Sequence, residues 1–90
     1  MSLDCYWEPL PPPSANDVPQ GFKYVVAERW FGHDGSLRGE RMLDAHDLAY
    51  LAGLRDAAGT GGDVAEGARI LIDAINKHGE IRFWIGNACG

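Results

Sequence analysis

Residues 63–79, Asp-Val-Ala-Glu-Gly-Ala-Arg-Ile-Leu-Ile-Asp-Ala-Ile-Asn-Lys-His-Gly, constrain this chain's fold more than any other stretch. Val64, Ala68, Leu71, Ile72 and Ile75 recur at steps of three and four, so on a helix they form one apolar stripe. Asp63 suits the N-cap, and Glu66 three residues on completes an Asp version of the capping box. Gly79 suits the left-handed residue beyond the C-terminus, with Lys77 and His78 beside the negative end of the dipole. Arg69–Asp73 and Asp73–Lys77 are opposite charges at i,i+4, each pair worth about 0.2–0.5 kcal/mol. Burying a Leu or Ile contributes more, roughly 1.5–3 kcal/mol. The helix therefore needs a layer to cover its stripe. Gly67 is its weak point, costing about 1 kcal/mol relative to Ala unless another element must approach closely there.

Three other segments supply that layer. Residues 22–31, Phe-Lys-Tyr-Val-Val-Ala-Glu-Arg-Trp-Phe, are rich in β-branched and aromatic side chains and read as a strand. Asp34-Gly35 suits the centre of a type I′ turn. With those two residues in the turn, Arg29 faces Glu40, Glu28 faces Arg41, and Trp30 covers Gly39. This predicts a hairpin whose second strand runs over about residues 36–43. Asp44 caps a second helix ending near residue 58, with Asp47 in its first turn and Leu48, Leu51 and Ala52 on its buried side. Residues 59–62 form a flexible link. Residues 80–86 alternate as a short strand, with Ile81, Phe83 and Ile85 on one side and Arg82 and Trp84 on the other.

The expected fold is a small two-layer α+β domain of order β-β-α-α-β. Its three-stranded, mainly antiparallel sheet carries two helices on one face. Direction counting favours strand order 1-2-3, and hydrophobicity favours 2-1-3. Residues 1–20 read as an extended proline-rich arm, and residues 21–90 as the domain. Pro9, Pro11, Pro12, Pro13 and Pro19 exclude a helix there. Tyr6, Trp7 and Leu10 predict that the arm docks across an open sheet face. The PxxP spacing within residues 9–13 also fits a groove-binding peptide, but docking explains it as well.

Composition narrows the function. Thirteen acidic against eight basic residues give a net charge of −5. Nucleic-acid binding, which needs basic residues to displace counterions, is not expected. No run of apolar residues is long enough to span a membrane. No basic segment followed by an apolar run marks a secretory signal. The expected compartment is the cytoplasm, with Cys5 and Cys89 as free thiols, although a disulfide between them is conceivable.

Chemistry-bearing patterns are incomplete. His33, His46 and His78 lack metal-ligand spacing, so no metal is expected. The Gly59-Thr-Gly-Gly-Asp63 run lacks the Lys-Ser/Thr ending of a phosphate loop. Cys89 is penultimate, and no Ser sits in a strand–turn–helix elbow. No catalytic residue and no cofactor is expected.

The expected function is therefore a non-enzymatic protein–protein interaction module. In size and acidity the chain is similar to the small inhibitors that phages and mobile elements direct against bacterial defence systems. That resemblance implies a protein partner whose basic surface is occluded. Candidate contact residues are Trp84, Arg82, Trp30 and Arg38 on the sheet, and Glu66 and Asp73 on the helix. Self-coverage of Trp84 by Tyr6 and Trp7 is the competing reading. Two alternatives remain: a homodimer or larger homo-oligomer joined by edge strands, and a small-ligand binder or compact enzyme using His33 or His46.

Overall fold

A computed structural model describes residues 3–9, 15–57 and 62–87. In chain order the elements are β1 (Asp4–Pro9), β2 (Asn16–Val18), α1 (Gln20–Phe31), β3 (Gly39–Leu43), a 3-10 turn (Ala45–Asp47), α2 (Leu48–Ala57), α3 (Gly62–His78) and β4 (Ile81–Gly86). The class is α+β, with a four-stranded sheet of order β2-β1-β4-β3 in which every neighbouring pair is antiparallel. The expectation of three strands and two helices is thus corrected to four strands and three helices among the described residues.

The largest correction falls on residues 20–31. A strand there would place Phe22, Tyr24, Val26 and Glu28 on one side. The helix instead gathers Phe22, Val26, Ala27 and Trp30 on one side and leaves Tyr24 59% exposed. Burial at helical spacing overrides the strand preference of the individual residues. Gly32 ends the helix in the left-handed region, φ 74°, its amide donating to the Glu28 carbonyl at 3.1 Å and the His33 amide to the Ala27 carbonyl at 3.5 Å. The Asp34-Gly35 hairpin turn is therefore absent. Asp34 Oδ1 accepts from the Ser36 amide at 2.9 Å, closing a local turn within the α1–β3 connection. Arg29, Glu28 and Trp30 have no cross-strand partners, because they sit on a helix.

The second correction concerns the N-terminal arm. Its extended residues join the sheet edge to edge instead of lying across a face. β1 pairs with β4 along its whole length, Trp7 opposite Phe83 and Tyr6 opposite Trp84. Alternation sends Cys5 and Trp7 toward the helices and Tyr6 and Glu8 to the other side. Lys23 is almost fully buried and donates to the Leu3 carbonyl, tying the start of β1 to α1. Residues 10–14, with most of the proline run, lie outside the described residues, as do residues 58–61 and Cys89.

Other expectations hold. α3 forms with Ala68, Leu71 and Ile75 buried, and Gly79 adopts φ 85° with its amide donating to the Ile75 carbonyl at 2.7 Å. Asp44 and Asp47 form a reciprocal capping box. Of the expected pairings, that between residues 36–43 and 80–86 survives as β3–β4. Asp63 departs from its expected role. Its carboxylate accepts from the Gly21 amide at 3.1 Å, so it caps α1, whose own N-cap residue, Pro19, has no side-chain donor or acceptor.

The core lies between the sheet and the helices. Phe83 meets Phe22, Trp30 and Phe31, with ring centroids 6.0, 5.4 and 6.3 Å apart. Leu43, Leu51, Leu71, Ile81 and Ile85 complete it. α1 and α3 cross the inner sheet face, and α2 packs beside α3. Gly67 permits the α1–α3 approach: a Cβ there would stand 2.5 Å from the Phe22 ring.

Candidate functional site

The side chains of β1 and β4 that turn away from the helices build one continuous surface. Tyr6 and Glu8 come from β1, Arg82 and Trp84 from β4, and Glu40 and Met42 from β3. Asp17 of β2 lies opposite Tyr6, and Asp4 opposite Gly86. Arg38 reaches over Gly86 from the turn before β3, its Cγ 3.8 Å from where a Cβ would be. These residues alternate with the buried ones, so the pleat that makes the core also fixes this face.

Arg82 is the electrostatic centre. It pairs with Glu8 at 3.0 Å and with Glu40 on the other neighbouring strand. Burial disfavours its charge, but hydrogen bonds to Glu40 and Glu8 outweigh that, and its pKa rises above the ordinary guanidinium range. Its guanidinium also lies 4.1 Å from the Trp84 ring centroid. Tyr6 stands 5.6 Å from the same ring, tilted by 32°. Loss of hydration, then the Asp4 and Asp17 carboxylates, pushes the Tyr6 hydroxyl pKa upward.

Trp84 is only 4% exposed, and its indole N–H donates to the Asn87 carbonyl at 3.3 Å. Tyr6 and Arg82 flank it; Trp7, the other aromatic expected to cover it, lies on the opposite face against His78. A shallow cleft of about 260 Å³ runs along the face between Arg38, Glu40, Arg82, Trp84 and Gly86. The cleft presents paired charges and aromatic edges.

Three of the six residues singled out from sequence, Trp84, Arg82 and Arg38, thus meet on one surface. Trp30 does not join them; it sits on α1 between Phe83 and Tyr50. Glu66 and Asp73 are exposed on α3, where Glu66 pairs with Arg69 at i,i+3 in place of the expected Arg69–Asp73 pair. Tyr6 stands against Trp84 as expected, but sequence reasoning missed Asp4, Glu8, Asp17 and Glu40 as members of this face. The alternation of buried and outward residues over Asp4-Cys5-Tyr6-Trp7-Glu8 was the available signal.

The histidines are dispersed. His33 stacks on Phe31, and its Nδ1 accepts from the Gly35 amide at 3.0 Å. His46 stands beside Asp44. Among the described residues no helix is long and apolar enough to cross a membrane. No protein-family model matches this chain, and no curated protein and no solved structure matches it either.

Proposed function

We propose that the chain is a non-enzymatic protein-binding module whose outer sheet face docks on, and occludes, a basic surface of a protein partner. One observation carries this reading: Asp4, Glu8, Asp17 and Glu40 ring Tyr6, Arg82 and Trp84 on the face turned from the helices. Four carboxylates there outnumber the two guanidiniums of Arg38 and Arg82. Charge of one sign speeds encounter with a complementary surface and rejects like-charged ones. Tyr6 and Arg82, both partly exposed, are of residue types that dominate binding energy at interfaces, and the buried Trp84 ring backs them. Its ion pairs preset the side-chain geometry, which lowers the ordering cost on association.

The test is affinity capture with charge-reversed variants. Asp4→Lys with Asp17→Lys alters the sheet face at exposed positions. Glu66→Lys with Asp73→Lys alters α3 equally. A partner retained by the wild type, released by added salt, and lost only with the sheet-face pair supports the reading. Loss with the α3 pair alone, or a partner indifferent to both, overturns it.

A further inference from the structure

A second recess opens on the helix side of β3, away from the acidic face. It measures about 350 Å³ and is lined by Arg29, Trp30, Arg41, His46, Asp47 and Tyr50. That is the lower end of the usual range for small-molecule sites, about 300–1,000 Å³. Four elements converge there: α1, β3, the 3-10 turn and α2.

Two guanidiniums enter the recess, each set against an aromatic ring. Arg29 lies 4.2 Å from the Tyr50 centroid, and Arg41 lies 5.6 Å from that of Trp30. The two rings brace each other edge-on at 5.8 Å. Arg41 also pairs with Asp47 Oδ1 at 3.1 Å, while Asp47 Oδ2 accepts from the Asp44 amide. Each Asp47 oxygen thus already has a partner. Among the described residues Arg29 makes no ion pair. His46 stands at the rim with its side chain 95% exposed and its Nδ1 3.2 Å from Asp44. In a chain of net charge −5, this pairing of arginines runs against the overall balance.

We propose that the recess binds the phosphate group of a phosphorylated small molecule, with Arg29 and Arg41 as its donors. A guanidinium presents a planar fork of N–H groups that matches phosphate oxygens in pairs. A phosphate monoester carries about 1.5–2 negative charges near neutral pH and so matches two guanidiniums better than a monocarboxylate does. Cation–π contact with Tyr50 and Trp30 helps hold the two side chains in place before the ligand arrives, which reduces what binding must order. Trp30 and Tyr50 form the wall against which the rest of the ligand would lie.

The experiment is a titration of the full chain followed by NMR, with ribose 5-phosphate, inorganic phosphate and succinate as probes. Saturable shifts of the Arg29 and Arg41 Nε–H and the Trp30 indole N–H are expected with ribose 5-phosphate, and weaker ones with inorganic phosphate. Arg29→Gln breaks no ion pair and should fold as the parent does, which circular dichroism checks. It should weaken ribose 5-phosphate binding by about tenfold or more. Absence of saturable shifts up to about 10 mM overturns the proposal. So does unchanged affinity in Arg29→Gln, or succinate binding as tightly as ribose 5-phosphate. The recess and the acidic face share no charged group, so failure of one proposal leaves the other standing.

Discussion

Gly67 and Gly53 separate two effects that sequence propensity merges. Both are glycines inside helices, where alanine is favoured by about 1 kcal/mol. A Cβ at Gly53 meets nothing within 4 Å, whereas one at Gly67 lies 2.5 Å from the ring of Phe22, which is fully buried. Gly53→Ala should therefore stabilise the fold by about 0.5–1 kcal/mol. Gly67→Ala should destabilise it by about 1–2 kcal/mol, overpacking at about 1–3 kcal/mol outweighing the propensity gain. Urea midpoints moving in opposite directions at constant slope would confirm both. Equal shifts would show that Phe22 can move aside. Cys5 offers a second residue-level check. It is fully buried, its Sγ 3.5 Å from the Val18 and Pro19 carbonyls, and burial pushes its pKa to about 12. The thiolate is the reactive form, so at pH 8 it should react roughly 10³-fold more slowly than a free thiol. A Cys89→Ser variant isolates it. Rapid labelling by Ellman's reagent without denaturant would contradict its placement.

Among the elements, α3 and β4 were legible in the sequence, and so was the capped turn before α2. Each carries its own signal: a stripe at helical spacing, an alternation, a reciprocal pair of aspartates. α1 was not legible. Its valines and aromatics favour a strand in isolation, and its apolar residues are spread too widely to mark one side. What decides it is non-local, namely Gly67 admitting Phe22 and the Asp63 carboxylate capping its first turn. The candidate face was half legible for the same reason. Arg82 and Trp84 follow from β4's alternation, but their acidic neighbours depend on β1 being a strand. β3 raises the question of self-association, because it is an edge strand. A two-fold pairing centred on Glu40, Arg41 or Met42, the middle of β3, sets Glu40 on Glu40, Arg41 on Arg41, or Glu40 against Asp44. Like charges opposite one another destabilise each of these registers. Light scattering at high micromolar concentration should return the mass of a single chain; a dimer would show that this charge pattern fails to protect the edge.

At the scale of the whole molecule, one ring joins sheet to helices. Phe83 contacts Phe22, Trp30 and Phe31 of α1 from the middle of β4. Phe83→Ala should cost about 3–5 kcal/mol. That approaches the total stability of a domain this small, about 5–15 kcal/mol. The variant should unfold at low urea or lack a cooperative transition altogether. A midpoint close to the parent's would show that the layers are joined elsewhere. The pairing of β1 with β4 also has a consequence for biosynthesis. β1 leaves the ribosome well before β4 and has to wait for it before it can be covered on both edges. At roughly 5–20 residues per second, that leaves Cys5 and Trp7 without their neighbour for several seconds. A chain broken off ahead of Ile81 would therefore be a sticky, unfinished one, a natural client for chaperones and proteases, and not a smaller working protein.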